Sequence, residues 1–169
     1  PTREQMVEFL FTAGAFGLVV ANNASISGAA GGCQAEVGSA AGMAAAAIAE
    51  LAGGTPRQAA NAMAIALKNM LGLVCDPVAG LVEVPCVKRN ALGASNAMVA
   101  ADLALAGVES VIPCDEVIEA MFRIGQSMPM AMKETALGGL AATPTGIRLK
   151  KEIFGDNSGS GAANSDQTE

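Results

Sequence analysis

The stretch EVGSAAGMAAAAIAEL, residues 36–51, reads as an almost pure alanine helix, and that reading decides the fold class. Alanine loses no side-chain entropy in a helix and has the highest helix propensity. Gly53-Gly54 stops the helix, and Thr55-Pro56 starts the next one, with Thr as N-cap and Pro at the first helical position. This second helix is predicted to run to about Leu71, with Met63, Leu67 and Met70 on one face. Upstream, Met6, Val7, Leu10, Phe11 and Leu18 recur at helical steps within Arg3–Val20, and Asn22-Asn23 breaks the pattern. Downstream, helices are predicted from Val87 to Ala106, from an Asp115 cap to about Ile124, around Met130–Glu134, and from Thr145 to Phe154. The last is basic at its end (Arg148, Lys150, Lys151), where cations suit the helix dipole. The expected fold is all-α: an Ala/Gly-rich helical domain over residues 1–154 with cysteine-bearing loops between helices. Residues 155–169 are polar, rich in Gly, Ser and Asn, and are expected to be a disordered tail.

Composition agrees with this reading. The chain has 169 residues, 51% of them hydrophobic, yet its only aromatic residues are five Phe. Alanine, glycine and methionine carry the apolar content, so helices are expected to approach closely through small-residue faces. A net charge of −6 leaves no basic patch for phosphates and argues against a nucleic-acid partner. The longest apolar run, Phe9–Ala21, is shorter than the roughly 20 residues a membrane span needs. The opening Pro1-Thr2-Arg3-Glu4-Gln5 is not a signal peptide, so a cytoplasmic protein without a membrane partner is expected. The chain does not open on Met, which suggests a piece of something longer. It has no His, Tyr or Trp, which excludes Ser–His or Cys–His nucleophilic catalysis within it.

Four cysteines remain to be explained: Cys33, Cys75, Cys86 and Cys114. None forms a Cys-x-x-Cys pair, so zinc-ribbon and thioredoxin readings fail, and a disulfide framework does not suit a cytoplasmic chain. All four can be small buried hydrophobes. Three of them, however, lie in Gly- or Pro-marked breaks. Gly28-Ala29-Ala30-Gly31-Gly32 leads to Cys33, and Cys75 and Cys86 bracket a segment broken by Asp76-Pro77, Gly80 and Pro85. That segment is expected to be a buried apolar loop, extended over Leu81–Val84. Cys33 and Cys86 precede helices, where a thiolate is favoured. Cys114 is followed by Asp115 and Glu116, which disfavour one. Three thiolates are therefore the sharper ligand hypothesis, and three on a four-iron cluster leave one iron open.

The runs Asn23–Ala29, Gly32–Gly38, Leu71–Val82, Val84–Asn90 and Lys133–Ala141 resemble the iron–sulfur-dependent L-serine dehydratases, and Ala142-Thr143-Pro144-Thr145-Gly146 is similar to the α chain of their two-subunit form. The resemblance spans roughly Glu8 to Gly155. It implies a largely helical catalytic domain in which Cys33, Cys75 and Cys86 hold a [4Fe–4S] cluster acting as a Lewis acid on L-serine. Pyruvate and ammonia are the implied products, and serine catabolism feeding gluconeogenesis the implied context. Cys114 lies outside every matching run. The implied partners are L-serine, a β chain or domain, and an upstream α segment whose histidine or serine groups supply the base; the assembly is expected to be an oligomer. Ser25, Ser27 and Gly28 are candidates for holding the substrate carboxylate. Arg89 and Asn90 are favoured as further substrate-binding residues, because a charge entering an apolar helix is costly without a partner. Lys88 reads as solvated, and Glu36 and Lys133-Glu134 are similar site candidates for which structural ion pairing is the favoured role. If the ligands are correct, the three sulfurs face one cavity at spacings of roughly 6–7 Å. The competing class is a non-catalytic Ala-rich scaffold or regulatory module with inert cysteines; a membrane-associated helical protein ranks last.

Overall fold

The computed structural model describes residues 1–155. Among them are seven α-helices and no strand: α1 (Arg3–Asn23), α2 (Gly28–Gly31), α3 (Ser39–Leu51), α4 (Pro56–Lys68), α5 (Cys86–Leu105), α6 (Cys114–Ser127) and α7 (Pro144–Phe154). A π-helical turn, Gln34–Gly38, feeds directly into α3, and single 3-10 turns occupy Val78–Gly80, Met130–Met132 and Gly139–Ala142. The expected all-α class is what the chain adopts. The expected tail, residues 155–169, lies outside the described residues except for Gly155.

The alanine helix is the centre of the fold: α3 packs against α1, α4 and α5. Small residues permit this. A Cβ on Gly42 would stand 3.1 Å from Met63 Cγ, and one on Gly93 would stand 2.9 Å from Val37 Cγ1. Two apolar cores result. One joins Val20, Ala35, Ala46, Met63, Leu67, Val117, Ile118 and Met121; the other joins Ala45, Ala49, Ala62, Ile65, Ala97, Ala100, Ala101 and Ala104 on α3, α4 and α5. Helix starts follow local chemistry. Thr55 caps α4 with a reciprocal capping box to Gln58, Pro56 follows at N1, and Thr2 caps α1 with Gln5 in the same way.

Several boundaries differ from expectation. α1 runs through Asn22 to Asn23, whose Nδ2 donates to the Val19 carbonyl (2.7 Å) and supports the last turn. α6 begins at Cys114 with Pro113 in the cap position, so Asp115 sits in the first turn, near the positive dipole end, and caps nothing. Leu81–Val84 is not an extended stretch. The chain doubles back there, with the Val78 amide donating to the Val84 carbonyl (2.9 Å) and the Glu83 amide to the Leu81 carbonyl (2.8 Å). Only the first part of that loop, Cys75–Val78, is buried; Gly80–Val84 is exposed. The most consequential difference is on α1. Its large apolar residues are exposed, Leu10 at 67% and Phe11 at 76%, while Ala13 and Val20 are the ones buried. Its 21 residues, with a mean hydropathy of 1.3 over the most apolar window, give it the length and composition to cross a membrane. The residues flanking the apolar run Phe9–Ala21 join the same helix, which is why the run alone understates it.

Candidate metal centre

Cys33 lies between α2 and the π turn, and Cys75 follows α4 by a short loop. Each is 3% exposed, and together with Val37 and Met70 they make a small core of their own. Backbone bonds bring them together. The Gln34 amide donates to the Leu73 carbonyl (2.9 Å), and the wholly buried Gln34 side chain accepts from the Gly72 amide (2.9 Å) and donates to the Met121 carbonyl (3.0 Å). One polar side chain thus ties the Cys33 turn to the Cys75 loop and to α6. Gly32 completes the turn at φ 78°, where a Cβ would lie 2.9 Å from the Leu73 carbonyl oxygen. Only glycine fits that conformation without strain.

Cys75 is gripped from its other side by the 130s segment. Its amide donates to the Met132 carbonyl, and its carbonyl accepts from the Glu134 amide, both at 2.8 Å. The sulfurs of Cys33 and Cys75 and a carboxylate oxygen of Glu36 all lie within 4.8 Å of one another. Gly28 closes this group: a Cβ there would be 2.8 Å from Glu36 Oε2, 3.1 Å from Cys75 Sγ and 3.4 Å from Glu134 Oε2. Burial, then the neighbouring Cys33 and the carboxylates of Glu134 and Glu36, push the Cys75 thiol up to about 12. Cys86, at the first position of α5 and half-buried, feels the same surroundings. Burial and then Cys33 raise its pKa, partly opposed by Arg89.

Arg89 stands one turn into α5. Its Nη1 donates to Asp76 Oδ1 (2.7 Å) and the Val74 carbonyl (2.8 Å) and reaches Cys33 Sγ at 3.7 Å. The Arg89–Asp76 pair is the buried one, with side-chain exposures of 15% and 3%, and Asp76 Oδ2 also accepts from the Leu140 amide (2.7 Å). Burial alone would lower the Arg89 pKa, but Asp76 and then Cys33 outweigh it and raise the net value. Two buried thiols, a nearby third and a guanidinium donor make a thiolate-based metal centre chemically reasonable.

Comparison with known proteins agrees with the motifs that line this centre. A family model described as "Serine dehydratase alpha chain" matches residues 1–141. The chain belongs to the serine dehydratase alpha chain family. It is 80% identical over 160 residues to a Bacillus subtilis protein named "Probable L-serine dehydratase, alpha chain", covering 95% of this chain and 53% of that one. The protein of the same name from Latilactobacillus sakei is 64% identical over 155 residues, which cover 92% of this chain and 74% of that relative. The "L-serine dehydratase, alpha chain" of Peptoniphilus asaccharolyticus is 55% identical over 138 residues, or 82% of this chain and 47% of that one. The chain therefore spans about half the length of the Bacillus and Peptoniphilus relatives.

The residues singled out in this serine dehydratase family chain are not all brought together. Cys33, Cys75, Gly28 and Arg89 meet, and Cys86 lies within their electrostatic reach. Ser25 accepts from the Ser27 amide (3.1 Å) and lines a separate small cavity with Ala30, Ala35 and Met121. Ser27 is exposed at the cap position of α2, and Asn90 is exposed on α5. Lys88 is exposed as expected. Cys114 packs against the first apolar core and lines a hollow between α4 and the α5–α6 connection, away from this group. Glu36 and Glu134 are absent from the four ion pairs of the described residues; their oxygens face the thiols instead. Sequence reasoning passed over Gln34 and Asp76. The one available signal for Asp76 was its Asp-Pro step directly after Cys75, which reads equally well as an ordinary turn.

Proposed function

We propose that this chain is the cluster-bearing part of an iron–sulfur L-serine dehydratase, in which Cys33, Cys75 and Cys86 hold a [4Fe–4S] cluster. The observation that carries this reading is the meeting of two buried thiols from distant segments, held by Gln34 and flanked by Arg89. The cluster, when bound, supplies a Lewis acid that makes the substrate hydroxyl a tolerable leaving group. The remaining roles belong to the chain's own residues. Gly28 leaves room for a ligand beside the thiols, since any side chain there would fill it. Glu36 and Glu134 present negative charge at the same spot, suited to an amino acid's ammonium group. Arg89 makes these contacts through Nη1, leaving its other nitrogens for a substrate carboxylate. The base that takes the Cα proton comes from outside this chain, which has no histidine.

The enzyme is cytoplasmic, and its partners are a β chain or domain, the remainder of the α chain, and further copies in an oligomer. Exposed apolar residues on α1 and α5 (Leu10, Phe11, Leu18, Leu92, Met98, Val99) supply surface for them. Anaerobic reconstitution with iron and sulfide tests the cofactor. Broad iron–sulfur absorbance is expected for the native chain and for Cys114→Ser, and its loss for Cys33→Ser, Cys75→Ser or Cys86→Ser. A colourless protein with all four thiols still titratable would instead support the inert-cysteine scaffold.

A further inference from the structure

The ligand atoms around Cys33 are closer together than a cubane needs. Sulfurs bound to one cubane stand roughly 6–7 Å apart. A tetrahedral ion with metal–sulfur bonds of about 2.3 Å and metal–oxygen bonds of about 2.1 Å sets its ligand atoms about 3.6–3.8 Å apart. Cys33 Sγ, Cys75 Sγ and a Glu36 oxygen lie within 4.8 Å of one another, nearer to the second arrangement. The donor set is also selective. Two thiolates and one carboxylate suit a borderline-soft ion, whereas calcium and magnesium require oxygen alone. We propose that Cys33, Cys75 and Glu36 form a mononuclear site for a thiophilic divalent cation of the zinc class, distinct in its third ligand from the cluster site.

Three features support closure on a single ion. Both thiols are buried and their sulfurs lie within 4.8 Å of each other, so a shift of about 1 Å brings them to bonding positions. Gly28 keeps a side chain out of the space the ion needs, since a Cβ there would stand 2.8 Å from Glu36 Oε2 and 3.1 Å from Cys75 Sγ. Arg89 Nη1, 3.7 Å from Cys33 Sγ, is placed to donate to that sulfur as a thiolate. Binding releases the two thiol protons to solvent and leaves a fourth position beside Glu134. Because Cys33 and Cys75 serve both metals, a zinc-class ion and the [4Fe–4S] cluster exclude each other.

The proposal stands without the cluster assignment, and one set of variants separates the two. Cobalt(II) is titrated anaerobically into the metal-free 169-residue chain, reading sulfur-to-cobalt charge-transfer bands and the intense visible bands of a tetrahedral ion. One equivalent is expected to bind. Loss of a supporting group alone costs a metal site roughly 10–100-fold in affinity, so Glu36→Gln is expected to weaken cobalt at least tenfold. Cys86→Ser is expected to leave cobalt affinity within about twofold and to abolish iron–sulfide reconstitution. Glu36→Gln is expected to reconstitute normally. Glu36 is exposed, so its replacement leaves the fold intact, which circular dichroism checks. Weak octahedral bands, unchanged binding in Glu36→Gln, or loss of cobalt in Cys86→Ser would each overturn the mononuclear site. Failure of reconstitution alongside intact cobalt binding would overturn the cluster assignment only.

Discussion

Asp76 is the buried carboxylate that holds Arg89 beside the thiols. It accepts from Arg89 and from the Leu140 amide, and at 3% exposure it has almost no water to replace either. Breaking a buried pair from one side leaves an uncompensated charge and costs about 3–5 kcal/mol. Asp76→Asn is therefore expected to lower stability by about 3 kcal/mol, with Arg89→Gln similar. The double variant is expected to recover at least 1 kcal/mol of the summed losses, because neither charge is then stranded. Strict additivity in urea melts would show that the pair is not coupled. Cys114 supports a second residue-scale prediction. Burial, then Asp115, raise its thiol from the ordinary 9.0 to about 11. Between those values the folded chain keeps a proton that the unfolded chain has lost, so stability is complete below pH 9 and falls as pH rises towards 11. Cys114→Ala is expected to flatten that alkaline decline in the urea midpoint; an unchanged slope would contradict it. The cysteines were legible in the sequence because Gly and Pro breaks mark their loops. Asp76 and Gln34 were not, since a lone Asp or Gln carries no periodic signal and its partners lie 13 to 87 residues away.

At the scale of elements, the legible parts are those whose cause is local. Thr55, Pro56 and Gln58 specify the start of α4 within four residues, and the structure has that capping box. Thr55→Ala is accordingly expected to destabilise the fold by about 1 kcal/mol, read as a lower melting temperature. The π turn Gln34–Gly38 was not legible. Its residues suit an α-helix equally well, and what surrounds the wider turn is tertiary: Gln34 reaching Met121 and Gly72 across the fold. The Leu81–Val84 misreading has the same origin, since β-branched residues favour an extended chain only where a neighbouring strand exists to pair with it. Gly32 links this scale to the centre. Gly32→Ala would put a side chain at φ 78° and drive its Cβ into Met128 Sδ, 2.7 Å away. The expected outcome is displacement of the Cys33 turn, read as loss of both reconstituted cluster and bound cobalt in a chain that remains helical. Retention of either metal at native affinity would mean that the turn tolerates the strain.

For the whole molecule the governing question is what the outer face of α1 is for. Helical periodicity identified the helix, but hydrophobic pattern alone could not say which apolar side faces inward. Small residues answered it. Gly17 lets α1 settle on Met43, where a Cβ would meet Met43 Cε at 2.8 Å, and Ala13 and Val20 fill the seam. Thr12 donates to Glu50 across the same contact. Leaving for a bilayer would surrender the Val20 position in the first core and that hydrogen bond, so α1 is better suited to a protein surface than to a membrane span. Leu10 and Phe11 are already in water and make little contribution to the monomer. Leu10→Glu with Phe11→Glu is expected to change the unfolding free energy by no more than about 0.5 kcal/mol per site. Self-association of the native chain in sedimentation velocity is expected to disappear in the double variant while helicity stays constant. Flotation of the native chain with liposomes, abolished by the same two substitutions, would reverse the assignment and make α1 a membrane element.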